Sequence, residues 1–306
     1  AIPRFGPPEV LTVAEVPEPR PGDGEVRVRV AAATVNPTDL VLRAGHRAAH
    51  LPPSPPWVPG MELAGTVDAV GPGVPWQPGD QVVAIVLPTG PRGGAQAEYV
   101  VVPAASVAHT PNKASLAEAA TLPMNGLTVR RALDLLGLAP GQVLAVTGAA
   151  GAVGGYAVEL GAAEGLRVLA VAGREDAELV GQLGADAVVT RGVDAAKDLR
   201  RIAPDGVDGL IDAALLGPAI LPAIRDGGRL IALRPFRGET ERAIDIQVVG
   251  VHDYAGNQAA LQALSDRASR GGLTLRVADT LPPERAAEAH RRLEAGGVRG
   301  RLVIAF

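Results

Sequence analysis

Thr147-Gly148-Ala149-Ala150-Gly151-Ala152-Val153-Gly154-Gly155 is the most informative segment of the chain. A short apolar run, Val143 to Val146, precedes it, and an Ala- and Gly-rich segment, Gly154 to Glu164, follows and reads as a helix. A glycine-rich turn between a buried strand and a helix has a specific use. The first N–H groups of a helix lack partners inside it, and the helix dipole puts partial positive charge at that end. A pyrophosphate fits there. In this reading Gly151 lets backbone approach the phosphates, Gly154 lets the helix pack on the strand, and Gly148, Ala152 and Val153 complete the cradle. The match to G-x-G-x-x-G is incomplete: Ala149 fills the first glycine position, with Gly148 one place earlier. A plain tight β–α turn is the alternative, and the strand-loop-helix context weighs against it.

Working outward, strands and helices alternate after this loop. Arg167 to Val171 and Ala187 to Val189 read as strands around a helix at Ala177 to Leu183. Gly209 to Asp212, Arg229 to Leu233 and Gln247 to Val251 read as later strands. That alternation predicts a parallel, doubly wound sheet of the Rossmann type. Upstream the chain is β-rich. Glu25-Val26-Arg27-Val28-Arg29-Val30 alternates polar and apolar residues, and Gly60 to Val70, Gln81 to Val86 and Glu98 to Val102 are further strands. Ser115-Leu116-Ala117-Glu118 has the form of a helix capping box, and a second helix is expected over Gly126 to Leu136. After Gly256, a helix at Gln258 to Ser269 leads to Leu275-Arg276-Val277, a helix at Pro282 to Ala295 and a strand at Arg301 to Ile304. Two strands do not make a domain, so this tail is expected to fold back onto the N-terminal part. The predicted organisation is an α/β protein: residues 1–122 and 255–306 form a discontinuous β-rich domain around a dinucleotide-binding domain at 123–254.

Composition narrows the class. The chain has 306 residues, 47% hydrophobic but only 3% aromatic, with 38 Gly and 27 Pro, which suits short strands, tight turns and Ala-rich helices. Net charge is 29 − 33 = −4 with no basic block, so nucleic acid is not an expected partner. No uncharged apolar run reaches the roughly 18 residues of a membrane helix, and no signal-peptide pattern opens the chain; a cytoplasmic location is expected. The chain starts at Ala1 rather than Met, so a few preceding residues are expected. There is no cysteine, which excludes disulfides, thiol catalysis and thiolate-bound zinc.

The second strand after the loop ends Val171-Ala172-Gly173-Arg174. NAD-selective sites place Asp or Glu here for the ribose hydroxyls. Here Gly173 leaves room and Arg174 brings positive charge, with Arg191 after the next strand. Two guanidinium groups suit a 2′-phosphate, which predicts NADPH. The alternative leaves both arginines in solvent and gives an NAD ribose to Glu175 or Asp176.

Taken together, the chain resembles the zinc-free quinone oxidoreductases of the medium-chain dehydrogenase/reductase superfamily. Ordered motifs carry the resemblance over nearly the whole length: Gly6 to Leu11, Pro21 to Val30, Val35-Asn36-Pro37-Thr38-Asp39, Pro59 to Gly65, Pro78 to Val82, Ala97 to Val100, Leu122 to Thr128, the glycine loop, Leu183 to Asp186, Gly227 to Arg229, Ala286 to His290 and Gly300 to Val303. The resemblance implies a GroES-like β domain interrupted by a Rossmann domain, and a homodimer. It places Asn36 near nicotinamide and substrate, and Asn125 and Thr128 among the coenzyme contacts at the domain junction. Leu127 reads as core. Leu233, Arg234 and Phe236 sit at the carboxyl end of a strand, where ligands collect; core packing is the other reading for Phe236, and a structural Asn before Pro is the other reading for Asn36.

Zinc-dependent alcohol dehydrogenases hold their metal with Cys and a His in G-H-E. Met61 stands at that histidine position, and the cysteine-rich lobe is replaced by Val86 to Gly94. His46 and His50 read as exposed loop residues, so no metal site is expected. Without a Lewis acid, the expected chemistry is hydride transfer to an already electrophilic acceptor, a quinone or an α,β-unsaturated carbonyl. No Tyr-x-x-x-Lys pair exists: Tyr99, Tyr156 and Tyr254 precede Pro103, Leu160 and Gln258 at that spacing. With no evident general acid, the final proton is expected from water. A coenzyme-binding protein with little turnover is the competing hypothesis.

Overall fold

The computed structural model describes residues Ala1–Phe306. In chain order the elements are β1 (Glu25–Thr34), α1 (Pro37–Arg43), β2 (Glu62–Val70), β3 (Gln81–Ile85), β4 (Tyr99–Pro103), β5 (Val107–His109), α2 (Leu116–Ala119), α3 (Pro123–Leu136), β6 (Val143–Thr147), α4 (Ala152–Ala163) and β7 (Arg167–Ala172). They continue with α5 (Ala177–Gln182), β8 (Ala187–Thr190), α6 (Ala195–Ile202), β9 (Val207–Asp212), β10 (Ile224–Ala232), β11 (Asp245–Val248), α7 (Gln258–Ser269), β12 (Val277–Leu281), α8 (Ala286–Ala295) and β13 (Arg301–Ala305). Two compact units result. One comprises Ala1–Leu127, Ala255–Gly271 and Leu275–Phe306; the other comprises Thr128–Tyr254 and Gly272–Thr274.

The first unit is built on one seven-stranded sheet. Its path runs β12-β13-β1-β2-β3-β5, with β4 also on β1. The C-terminal strand enters by pairing antiparallel with β1, Ala33 opposite Ile304, and β12 then pairs parallel to it. The inward alternation read at Glu25 to Val30 is real: Val26, Val28 and Val30 are buried with Leu63, Val67, Val82, Ala84 and Val100. Ser115 and Glu118 form the expected capping box, each accepting the other's backbone N–H at 3.2 and 2.8 Å. Further along, α8 buries His290 completely. Its Nδ1 lies 2.9 Å from Arg43, whose guanidinium also pairs with Glu294. Burial, and then the Arg43 charge, push the His290 pKa down to about 3.

The second unit is a six-stranded, all-parallel sheet in the order β11-β10-β9-β6-β7-β8. Leu169, Leu199, Leu210, Ile220 and Leu230 are among the residues that fill its core. The order reverses between β6 and β9, the point where open α/β sheets bind ligands beyond the strands' carboxyl ends.

Several expected boundaries move. The strand expected at Gln247 to Val251 runs Asp245–Val248, and the one at Leu275 to Val277 runs Val277–Leu281. The helix over Gly126 to Leu136 starts earlier, at Pro123, because proline suits a first helical turn. Gly296 and Gly297, both at φ +74°, end α8 in a conformation that side chains disfavour.

Candidate active site

In the parallel-sheet unit the glycine loop joins β6 to α4. Gly148 has φ +61°, the left-handed region that favours glycine. A Cβ there would also sit 3.2 Å from the backbone of Ala213 and Ala214. Gly151 is the N-cap of α4, and its N–H donates to the Gly148 carbonyl at 2.9 Å. Gly154 is the tightest position: a Cβ would lie 2.2 Å from the Gly148 carbonyl oxygen and 2.8 Å from the Ala149 Cα. Its packing partner is therefore the loop backbone itself. Gly148, Gly151, Ala152 and Val153 remain partly exposed, while Gly154 is buried. The surface they offer is backbone at a helix N-terminus with no charged side chain, the cradle that a pyrophosphate requires.

Two residues that motif reading left without a role hold this loop. The buried Thr147 hydroxyl donates to Asp212 Oδ1 at 2.6 Å and accepts the Ala214 N–H at 2.9 Å. Asp212 accepts the N–H groups of Leu216 and Gly217 at 3.0 and 2.9 Å. The visible signal in the sequence is a carboxylate that ends the apolar run Leu210-Ile211.

Just after β7, Arg174 is exposed; its carbonyl accepts the Ala177 N–H, while its guanidinium makes no hydrogen bond or ion pair. Arg191 lies close by in the sheet, its N–H on the Ala172 carbonyl at 2.7 Å. Its guanidinium, however, pairs with Glu175 at 2.8 Å. The Glu175 carboxylate also folds over Gly173, where an added Cβ would meet it at 2.4 Å. Of the two arginines, the Arg174 guanidinium is unpaired and Arg191 shares a carboxylate. Asp176 is buried. Leu233 and Arg234 follow β10 half-buried, and Phe236 packs against the sheet's core, which supports the packing reading for that ring. Thr128, in α3, is 8% exposed.

The other unit holds a buried polar cluster. Arg301 on β13 donates to Thr34 Oγ1 and Asn36 Oδ1, both at 2.6 Å, and to Glu62 Oε1 at 2.5 Å. Thr34 donates to Glu62 at 2.5 Å and accepts from Asn36 Nδ2 at 3.1 Å. The other Glu62 oxygen takes the Met124 N–H at 2.7 Å. Thr34, Asn36 and Glu62 are fully buried, and Arg301 is 6% exposed. Both polar ends of the Asn36 amide are engaged within this cluster. Its carbonyl oxygen is taken by Arg301, its nitrogen by Thr34, and none of the residue reaches solvent. Asp39 caps α1, accepting the N–H groups of Asn36 and Gly60 at 2.8 Å each. Burial raises its pKa to about 6 against those donors and the Arg301 charge. Thr38 turns instead to Met61 Sδ, 2.9 Å away. Asn125 is 2% exposed and its Nδ2 has no partner, a buried donor that fits a ligand acceptor. Leu127 is core. His46 and His50 are exposed, and no three His, Asp or Glu side chains cluster as a metal site would need.

A parallel sheet with a glycine loop at its switch point, and a mostly antiparallel sheet that takes in the C-terminal strand, define a class that comparison with known proteins identifies. Residues 22–112 match the alcohol dehydrogenase GroES-like domain, and residues 183–304 match a zinc-binding dehydrogenase model. The chain belongs to the quinone oxidoreductase family of the medium-chain dehydrogenase/reductase superfamily and is an oxidoreductase. Quinone-oxidoreductase QR1 of Triphysaria versicolor is 34% identical over 74% of this chain and 70% of its own. The quinone oxidoreductase of Homo sapiens is 29% identical over 98% and 95%. A crystal structure of an NAD-dependent alcohol dehydrogenase superposes with TM-score 0.89 at 33% identity, covering 100% of this chain and 98% of that one.

Proposed function

We propose that this chain is an NADPH-dependent reductase of quinones or α,β-unsaturated carbonyls that works without a metal. The observation that carries this reading is the uncharged backbone cradle of the glycine loop with the unpaired Arg174 at the end of the adjacent strand. In the coenzyme-bound enzyme the nicotinamide supplies hydride, leaving the protein to bind, orient and exclude water. Gly148, Gly151, Ala152, Val153 and Gly154 are assigned to the pyrophosphate and Arg174 to the 2′-phosphate. Arg191 joins it when released from Glu175. Asn125, Thr128, Leu233 and Arg234 are assigned to the remaining coenzyme contacts, with Phe236 as packing behind them. Asn36 is assigned a positioning role, as its burial supports.

The relatives named quinone oxidoreductases support an acceptor that is electrophilic without activation. The lack of cysteine and of a metal-ligand cluster supports chemistry without zinc. The proton that completes reduction is assigned to water. A homodimer in the cytoplasm completes the reading. No helix is long and apolar enough to cross a membrane.

NADH is the second reading, favoured by one observation: the Glu175 carboxylate over Gly173, where ribose hydroxyls would be held. A panel of quinones and enones, followed by loss of NADPH absorbance, tests the main reading. Reduction of at least one acceptor class is expected. Coenzyme binding with no turnover of any acceptor would favour a binding protein instead.

A further inference from the structure

The loop at 213–217, after β9, is held more firmly than a connection between elements requires. Leu215 adopts φ +59°, a left-handed conformation that is costly for a branched side chain. It is also 56% exposed, so burial of the side chain does not compensate. Strain of this kind persists where surrounding contacts over-determine the backbone. Those contacts converge on two buried side chains. Asp212 takes the Leu216 and Gly217 N–H groups and the Thr147 hydroxyl, and Thr147 takes the Ala214 N–H. On the other side, Ala213 and Ala214 sit where a Cβ on Gly148 would go. The Gly148 carbonyl receives the Gly151 N–H and limits how closely Gly154 and α4 approach. A continuous run of contacts therefore leads from Asp212 to the N-terminus of α4, across the point where the strand order reverses.

We propose that Asp212 and Thr147 form a buried clamp that positions the glycine loop for coenzyme, so that coenzyme affinity depends on two side chains sealed in the core beneath the loop. The proposal rests on the reading that this loop holds the coenzyme pyrophosphate. Nothing in the clamp distinguishes NADPH from NADH, so both are expected to respond alike. Thr147→Val keeps the side-chain shape and removes the hydroxyl, which leaves the Ala214 N–H without its acceptor. The alternative is a purely structural clamp, which would lower thermal stability and leave the affinity of the folded protein unchanged.

Fluorescence titration with NADPH and with NADH tests this, together with steady-state kinetics on one quinone. Thr147→Val should weaken both coenzymes about fivefold, the equivalent of one hydrogen bond. The coenzyme KM should rise in parallel while the quinone KM stays constant. Thr147→Ser, which restores the hydroxyl, should recover parent affinity. Asp212→Asn, which turns an amide N–H toward one backbone donor, should weaken both coenzymes and carries the test if Thr147→Val does not fold. Parent affinity in either folded Thr147→Val or folded Asp212→Asn overturns the clamp, as does a Thr147→Ser loss equal to that of Thr147→Val. Failure of the parent protein to bind either coenzyme would sink the coenzyme reading itself, a result distinct from a clamp that makes no difference.

Discussion

The two units solve opposite problems with opposite materials. Around the glycine loop, function is assigned to backbone: small residues, a helix end and no charged side chain touching the cradle. Around β1 and β13, the polar content is side chains with formal charge, Glu62 and Arg301, sealed from water and tied through Thr34 and Asn36. Each unit is therefore vulnerable in its own way. The backbone site is damaged by adding atoms, the charged cluster by removing them.

The largest expected effect follows from removal. Arg301→Met leaves the fully buried Glu62 carboxylate without its cation. Breaking one side of a buried pair costs about 3–5 kcal/mol. A chemical denaturation curve should show that loss, and Glu62→Gln with Arg301→Met should recover part of it. Equal stability in Arg301→Met and the parent would mean that the cluster is not held by charge.

A second loss appears with acid. Folded His290 has a pKa of about 3 against an ordinary 6.5, so between those values the unfolded chain takes up a proton that the folded chain refuses. Its contribution is fully present above pH 6.5 and is lost as pH falls. At about 1.4 kcal/mol per unit, roughly 3 kcal/mol is gone by about pH 4. Asp39 has the opposite sign. Its folded pKa of about 6 exceeds the ordinary 3.8, so its burial costs stability above pH 6 and that cost fades as pH falls toward 3.8. Between about pH 6 and 3.8 the two nearly cancel, and because the His290 shift is the larger, the pair's net loss falls at the two ends of the window, near pH 6 to 6.5 and below 3.8. His290→Gln should remove that loss, so the variant's stability relative to the parent should rise steadily as pH drops below 6.5. An unchanged difference from the parent across this range would place the acid sensitivity elsewhere.

Adding atoms to the other unit should act on binding first. A Cβ at Gly151 meets the Gly148 carbonyl at 3.1 Å, a contact that a small shift relieves, whereas at Gly154 it meets it at 2.2 Å. Gly151→Val should keep the fold and weaken coenzyme more than about tenfold, because the branched side chain fills the pyrophosphate approach. Gly154→Val should lower the melting temperature as well. Parent coenzyme affinity in folded Gly151→Val would remove the loop from the binding site.

The smallest effects are charge effects at the rim. Arg174→Ala should weaken NADPH by about tenfold, as expected for a screened charge-assisted hydrogen bond, and spare NADH. Arg191→Ala should do less, because Glu175 already holds that guanidinium. Glu175→Gln should tighten NADPH a few-fold by freeing Arg191. Equal losses of both coenzymes in Arg174→Ala would turn Arg174 into a loop support, and weaker NADH in Glu175→Gln would make Glu175 the ribose ligand.

How much was legible in the sequence follows the same division. Local patterns were readable: the alternation in β1, the Ser115–Glu118 box, and the strand-loop-helix around Gly151 all depend on neighbours in sequence. What was hidden depends on distant partners. Arg301 and Asn36 lie 265 positions apart, and Asp212 and Thr147 lie 65 apart. No periodicity announces such pairs; the only trace was a charged residue within an apolar run. The pairing of Arg191 with Glu175 was hidden for another reason, since an exposed side chain chooses its partner among several nearby.

Metal-free reduction with NADPH is tested most directly by turnover of a quinone with saturating NADPH and with NADH, before and after exhaustive chelation, with metal content measured alongside. Faster turnover with NADPH, no stoichiometric zinc and an unchanged rate after chelation are expected. Stoichiometric zinc whose removal abolishes turnover, or a preference for NADH, would contradict it.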